Sequence, residues 1–377
     1  MLYYVWLQCV LGVGSSHLKD AIIHFGSARA IYEAGDEERR ASKLFSKSIL
    51  ERMKKTPLSK AEEIIRKCKN ENISILTVAD KSYPKCLKNL SNPPTCLYYK
   101  GVFPDFDNEP TICIVGPRNV SEYGKGASFS LSARLARAGF IIVSGGALGS
   151  DTYAHKGALK YGQKTVLFMG CGINFGYLPE NEKMRKLIVK TGGCLISEFP
   201  PDAPPLGAHF PVRNRLMSAV SCGTVVIEAK KRSGALITAN YALEQGKDVF
   251  VVPGTPGNPQ YEGSNILLRE GAIPLIDATD VISEYISLFP DKIDIERAYK
   301  QEKSEKSNEK NAKVKKISDI SLSKEAKIVY NYLDRVEFYA DDLAGLDLSD
   351  DDIISALTEL EIGGVIKAAP GGKYTVL

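Results

Sequence analysis

The sequence reads TICIVGPRNVSEYG over residues 111–124 and FIIVSGGALGSD over residues 140–151. Each stretch is a short apolar strand that ends in a glycine-containing loop and runs into a helix-length segment. The alternation continues to about Asp277 through the strands KTVLFMG, CLISEF, TVVIEA and KDVFVVPG. Nearly continuous apolar strands with helical crossovers indicate a parallel sheet that is covered on both faces. We therefore predict a Rossmann-like α/β fold with a doubly wound, mostly parallel sheet.

The flanking segments predict three more regions around this domain, which we place at residues 76–290. Residues 1–75 have helical apolar spacing, and their Gly12–Gly14 turn is similar to a phosphate-gripping helix-hairpin-helix turn. A plain helix–turn–helix packing unit is the alternative that the pattern favours. Residues 291–320 predict a flexible charged linker, or else a solvated helix with i,i+4 ion pairs. Residues 321–377 predict three short helices and a hairpin, which is a winged-helix pattern.

Composition and charge narrow the class of protein. The chain of 377 residues is 44% hydrophobic and 25% charged, which is ordinary for a globular protein. Its eight cysteines include no C-x-x-C pair, so we expect buried thiols and no metal site. No targeting segment or membrane-length apolar run is evident, so we expect a cytoplasmic protein without a membrane partner. Residues 321–377 carry a net charge of −6 and residues 1–320 carry +10, and a basic body suits a polyanion.

The loops that follow the first two parallel strands are candidate anion sites. Ligands of doubly wound sheets bind beyond the carboxyl ends of the strands. Glycines let the backbone approach an anion, and the following helix N-terminus offers unpaired N–H groups. An arginine in such a loop adds a bidentate phosphate contact. The candidate contacts in these loops are Gly116, Arg118, Asn119, Ser144, Gly145, Gly146 and Ala147.

Two basic segments extend this candidate surface. The run HFPVRNR over residues 209–215 combines cations with an aromatic ring that can stack on a base, and KKRSG over residues 230–234 follows a strand end. The alternatives are a structural ion pair, above all for Arg215, and an ordinary solvated charge run for the lysines. The candidate contacts here are Phe210, Arg213, Asn214, Arg215, Lys230, Lys231 and Ser233.

Several enzyme classes are disfavoured. The loop GPRNVSEYG lacks the second glycine of a dinucleotide fingerprint, and no phosphate-binding G-x-x-x-x-G-K-[ST] loop is present. His155, Asp151 and Glu198 are candidate acid–base groups, but no nucleophile or carboxylate pair accompanies them. We expect His155 to be a packed, hydrogen-bonded residue and Asp151 to cap its helix.

Several motifs together resemble one family. They are IVGPRNVSEYG, IIVSGGALGSDTYAHKGAL, FPVRNRLMS, SGALITANYALEQGKDVFVVPG and GSNILLREGA, and they follow one another across about residues 80–280. In order and spacing they resemble the DNA-processing protein A family, also called DprA or Smf. The segment SYPKCLKNLSNPPTCLYYKG is similar to the lead-in that this family has before its Rossmann-like domain.

This resemblance implies a non-catalytic protein that binds single-stranded DNA without a cofactor. It also implies a homodimer that protects incoming DNA and loads the RecA recombinase during natural transformation or recombination. The family's motif positions fall on Arg118, on Ser144, Gly145, Ala147 and Gly149, on Phe210, Pro211, Arg213, Asn214 and Arg215, and on Ser233, Gly234, Thr238 and Ala239.

The sequence departs from the family pattern at three positions. Gly146 replaces a large apolar residue and Ser150 replaces isoleucine. Pro179 stands where some members have a basic residue that helps to hold DNA, so that contact is in doubt. Lys183 or Arg185 would have to compensate for it.

Two other functions stay open at this stage. A nucleotide N-glycosidase (phosphoribohydrolase) of the lysine-decarboxylase-like group would share the Rossmann-like core, but its motif P-G-G-x-G-T-x-x-E appears here only in part, at residues 221–228. The other is an interaction scaffold, because the acidic residues 321–377 would repel phosphates and are better suited to a protein partner or to autoregulation.

Overall fold

The computed structural model describes residues 1–299, 322–333, 337–362, 365–369 and 373–376. The chain divides into two compact units, Met1–Tyr299 and Lys300–Leu377. Apart from the start of the linker, which is described below, the finer domain boundaries expected from the sequence stay a prediction.

A nine-stranded sheet organises the first unit. Its spatial order is β1-β2-β6-β5-β4-β3-β7-β8-β9, with parallel pairing from β6 to β9 and antiparallel pairing of β1 with β2 and of β2 with β6. The strand order reverses at β3, which lies between β4 and β7. The strands are β1 Ser74–Thr77, β2 Cys96–Gly101, β3 Thr111–Val115, β4 Ile141–Ser144, β5 Thr165–Met169, β6 Cys194–Ser197, β7 Gly223–Val226, β8 Asp248–Val251 and β9 Ile273–Pro274.

Helices cover both faces of this sheet. Side chains alternate along each strand, so Ile112 and Ile114 of β3 pack on one face while Cys113 and Val115 pack on the other. The α-helices are α1 Leu2–Leu11, α2 His17–Phe25, α3 Ala28–Glu33, α4 Asp36–Ala41, α5 Lys47–Lys55, α6 Leu58–Asn70, α7 Lys85–Lys88, α8 Glu122–Ala138, α9 Ser150–Lys160, α10 Glu182–Lys190, α11 His209–Val220, α12 Gly234–Glu244, α13 Glu262–Arg269 and α14 Ala278–Tyr285. The predicted Rossmann-like α/β fold is confirmed.

One helix differs from its predicted extent in a way that affects the site. The sequence pattern predicts a helix from Asn214, but α11 begins at His209. Pro211 is tolerated there because the N–H groups of the first helical turn have no intrahelical partner. Phe210 and Arg213 are therefore helical residues with fixed directions.

A buried ion pair beside the sheet is linked to the turn between α1 and α2. Glu198 follows β6, and its Oε2 atom lies 2.5 Å from Nη2 of Arg215. The other carboxylate oxygen accepts a hydrogen bond of 3.1 Å from the backbone N–H of Gly14. In the turn that is similar to a phosphate-gripping hairpin, the N–H of Gly14 thus binds a protein carboxylate.

Arg215 requires a correction to the sequence-based site. Its side chain is only 2% exposed and is paired with Glu198. A guanidinium in this position cannot reach a strand bound at the surface. Arg215 is therefore a structural residue, which is the alternative that the sequence left open.

The folded part of the first unit extends to Tyr299. Ile293 and Ala298 are buried against α8 and α14, and the N–H of Asp294 donates to the carbonyl of Ala138. Residues 291–299 were expected to belong to the linker, but these two apolar side chains anchor them. Residues 300–321 lie outside the described part of the chain.

In the second unit, the described residues form two α-helices, a 3-10 helix and a three-stranded antiparallel sheet. The hairpin Ile366–Ala369 and Lys373–Val376 was expected, whereas the third strand, Glu337–Tyr339, was not. The α-helices are Lys324–Tyr332 and Asp350–Ile362, and the 3-10 helix is Ala340–Leu343. The winged-helix assignment stays a prediction.

Glu198→Ala should lower the free energy of unfolding by about 3–5 kcal/mol, because it leaves a buried guanidinium without its counter-charge. Urea denaturation monitored by circular dichroism measures this change. Lys67→Ala is the matched control, because it removes an ion pair with Asp202 whose side chains are 46% and 52% exposed. That loss should be much smaller, because water screens an exposed pair. Equal effects of the two substitutions would contradict a structural role for the buried pair.

Candidate nucleic-acid interface

A cleft of about 430 Å³ opens at the carboxyl ends of β3, β4 and β7, where the strand order reverses. This is the position at which doubly wound sheets bind their ligands. The N-terminal turns of α11 and α12 form the opposite wall. Nine of the fourteen predicted site residues line the cleft: Gly116, Arg118, Asn119, Ala147, Phe210, Arg213, Asn214, Lys230 and Ser233.

The loop that carries Arg118 lies directly against the start of α9. A Cβ atom on Gly149 would collide with the carbonyl oxygens of Pro117 and Arg118, and Gly149 has a φ of 85°. A side chain at Gly116 would likewise collide with Ser150. Both positions therefore require glycine, and the two strand-end loops meet backbone to backbone.

A buried carboxylate holds the other side of this loop. Glu228 follows β7 and is fully buried. It accepts hydrogen bonds from the Oγ and backbone N–H of Ser121 and from Nε2 of Gln260 at 2.8 Å. The same amide nitrogen donates to the carbonyl of Asn119 at 3.1 Å. Because the loop is fixed at both ends, Arg118 projects from a rigid support.

Arg118 is exposed at the rim of the cleft and lies beside an aromatic ring. Its Cζ atom is 5.4 Å from the ring centroid of Phe210, which is within the range of a cation–π contact. The Phe210 centroid is in turn 5.5 Å from that of Tyr177. Lys230 and Arg232 are exposed and line the same cleft. The cleft thus combines exposed cations with a stacking surface.

Arg213 lies beneath this surface and organises it. The side chain is 5% exposed, and a Cβ atom on Gly145 would collide with its guanidinium. Burial lowers the pKa of Arg213, and the nearby Asp151 carboxylate opposes that shift. Burial also raises the pKa of Asp151, whose Oδ2 accepts a hydrogen bond of 3.2 Å from the N–H of Ala147. The pair holds the Ser144–Ala147 loop in place.

Five predicted site residues do not line the cleft. Arg215 is buried in its ion pair, and Lys231 turns outward to within 3.5 Å of Glu262. The Ser144 hydroxyl is buried and donates to the carbonyl of Ile114. Gly145 and Gly146 shape the backbone below the cleft, where they contact Arg213 and Leu167.

Several cleft residues were not among the predicted contacts. Arg232 is the third cation of the run KKR, and the sequence gives no sign of which member faces inward. Met217 and Thr238 lie on α11 and α12 and line the floor. They are recognisable only once the helix directions are known.

The candidate acid–base groups have structural partners. Nδ1 of His155 lies 2.8 Å from the Thr165 hydroxyl, which itself donates to the carbonyl of Ile142. Nδ1 of His155 therefore carries the proton. Burial lowers the pKa of His155 to about 3, so the imidazole is neutral near pH 7. As expected from the sequence, His155 is a packed, hydrogen-bonded residue.

The glutamate that corresponds to the N-glycosidase motif also has structural hydrogen-bond partners. Glu228 accepts hydrogen bonds from Ser121, Gln260 and Tyr261 and does not line the cleft. Among the residues that the structure describes, no group of three His, Cys, Asp or Glu side chains is arranged to hold a metal ion. No helix in the described ranges is both long and apolar enough to span a bilayer.

The fold and cleft define a Rossmann-like domain with a cationic and aromatic cleft at its strand ends. The family model for DNA recombination-mediator protein A matches residues 74–286, which is more than half of the chain. The chain belongs to this family, which includes the DprA and Smf proteins.

Relatives of known name agree with this membership. The chain is 36% identical over 225 residues to DNA processing protein DprA of Bacillus subtilis, covering 60% of this chain and 75% of the relative. It is 34% identical over 298 residues to protein Smf of Synechocystis, covering 73% of each.

Two solved structures are similar as well. DprA from Streptococcus pneumoniae superposes with a TM-score of 0.64 and 29% identity, covering 75% of this chain and 98% of the other. DNA processing protein A from Helicobacter pylori, whose structure addresses its single-stranded DNA binding mode, gives 0.52 and 31% identity, covering 57% and 96%.

His155→Asn should make the free energy of unfolding decrease less steeply as the pH falls. The pKa of His155 is about 3 in the folded chain and 6.5 when unperturbed, so the unfolded state binds the proton first. The wild-type free energy of unfolding should therefore fall as the pH decreases from about 6.5 towards 3, by up to about 1.4 kcal/mol per pKa unit. Denaturant titrations at several pH values measure this. The other acidic groups titrate in both proteins, so parallel curves would contradict the assignment.

Proposed function

We propose that the chain binds single-stranded DNA in the cleft and acts without catalysis. The observation that carries this proposal is the exposed Arg118 guanidinium 5.4 Å from the Phe210 ring, at a strand-end cleft with further cations. Cations along a backbone path and aromatic rings for bases form the usual combination for single strands. The binding mode named for the Helicobacter pylori relative supports the same ligand.

In this proposal, the phosphates contact Arg118, Lys230 and Arg232, and a base stacks on Phe210. The helix α12 begins beside these cations. Its capping Ser233 side chain accepts from the N–H of Ala235, and the helix N-terminus adds a positive potential to the cleft. Because none of these contacts reads a base edge, binding should tolerate any sequence.

The cellular role in this proposal follows from family membership. The chain would protect incoming single strands and load the RecA recombinase during natural transformation or recombination, as a homodimer. The acidic residues 321–377 would contact a protein rather than DNA, because their net charge of −6 repels phosphates.

Arg118→Ala should weaken single-strand binding by roughly tenfold or more, because it removes a charge-assisted contact. The slope of log K against log salt should become shallower by about 0.7 to 1. Fluorescence anisotropy with a labelled oligothymidylate over a salt series measures both. Arg66→Ala is the matched control, because Arg66 is an exposed arginine on α6. An unchanged affinity and slope for Arg118→Ala would show that the strand does not bind in the cleft.

Gel shifts should show tighter binding of single-stranded than of double-stranded DNA at every salt concentration. A base inside a duplex cannot stack on Phe210, so only the phosphate contacts remain for double strands. Incubation with nucleoside monophosphates should release no free base. Base release that depends on Glu228 would instead support the N-glycosidase alternative.

A further inference from the structure

The two helices that begin at the cleft continue away from it side by side. Helix α8 starts three residues after Asn119, and α9 starts directly after the Ala147–Gly149 loop. Their packing is close, because a Cβ atom on Gly157 would collide with the carbonyl oxygen of Phe129. The Ser132 hydroxyl also donates to the carbonyl of Ala154. The two helices therefore form one packed pair beside the cleft.

One aromatic ring and two cations share the surface of this helix pair near the cleft. Tyr153 is partly exposed. The Nζ atoms of Lys156 and Lys125 lie 5.2 Å and 6.0 Å from the Tyr153 ring centroid. We call these three residues the α8–α9 patch.

The charge balance of the two helices favours an anionic ligand. Together they contain five basic residues and two acidic ones, of which Arg137 and Asp151 are buried. Of the four other basic residues, Arg134 pairs with an acidic residue outside the two helices. The one other acidic residue is Glu122, which forms an exposed ion pair with Lys125. Exposed pairs are weak, so a phosphate can displace the Glu122 carboxylate.

We propose that the α8–α9 patch continues the path of the single strand beyond the cleft. A base stacks on Tyr153, and the flanking phosphates contact Lys125 and Lys156. The helical rise from Ser150 to Lys156 is about 9 Å, so the patch lies within reach of a strand that leaves the cleft. This proposal rests on the proposed function, because the cleft supplies the start of the path.

A protein partner or a duplex fits this patch less well. The two lysines flank the Tyr153 ring, so little contiguous apolar area is available for a protein core contact. A duplex hides the faces of its bases and would leave Tyr153 without a stacking partner. A single strand uses the ring and the cations together.

The test compares two lengths of labelled oligothymidylate, about 6 and about 20 nucleotides, by anisotropy over a salt series. Tyr153→Ala should weaken binding of the longer strand about fivefold or more and leave the shorter one unchanged. Tyr153→Phe should retain binding, because the stacking face remains. Lys156→Gln should reduce the salt slope by about 0.7 for the longer strand alone. Lys69→Gln on α6 is the control, because this lysine is also exposed.

Photocrosslinking of the wild-type chain to a halogenated 20-nucleotide strand gives a second readout that needs no variant. Crosslinks to peptides containing Tyr153 support the patch. Crosslinks confined to residues that line the cleft overturn it.

The two proposals fail in different ways. If Arg118→Ala weakens both lengths while the patch variants weaken neither, the patch is wrong and the cleft stands. If Arg118→Ala changes neither length, the proposed path through the cleft is wrong, and with it the patch as its continuation.

Discussion

The close approach of two strand-end loops is the constraint on which the cleft depends. Gly149 and Gly116 have no room for a side chain, so the loop after β3 lies directly on the start of α9. This contact fixes the backbone below Arg118, and Glu228 fixes the other end of the same loop through Ser121 and Gln260. A flexible cation on a rigid support loses less entropy on binding than a cation on a mobile loop.

The α/β alternation could be predicted from the sequence because each central strand is buried on both faces and is therefore apolar throughout. The extension of the sheet by β1 and β2 could not. The pairing of β2 with β6 is antiparallel and joins residues about 100 positions apart, such as Tyr99 with Ile196, and no local pattern records it. The third strand of the second unit was missed for a related reason, because Glu337–Tyr339 is only three residues long.

The site could be predicted as a set of strand-end loops but not residue by residue. Arg213 and Arg215 look equivalent in the motif FPVRNR. On a helix, however, residues two positions apart point about 200° away from each other. Since α11 begins at His209, both arginines are helical and face opposite sides: Arg213 borders the cleft, and Arg215 is buried against Glu198. The sequence predicts that this helix begins at Asn214, which leaves Arg213 outside it, so the opposite directions of the two arginines could not be inferred. In the same way, only the structure shows that Arg232 lines the cleft and Lys231 does not.

Helix α11 is consequently a rigid connection between two regions of the first unit. One side of its N-terminal turns carries Phe210 and Arg213 at the cleft, and the other holds the N-terminal helices through Arg215, Glu198 and the N–H of Gly14. A buried ion pair contributes little net stability, since desolvation offsets most of its attraction, but it penalises every other arrangement of its partners. The pair therefore fixes the direction of α11 more than it strengthens the fold. The orientation of the cleft residues depends on that direction, so the docked N-terminal turn is part of what builds the cleft.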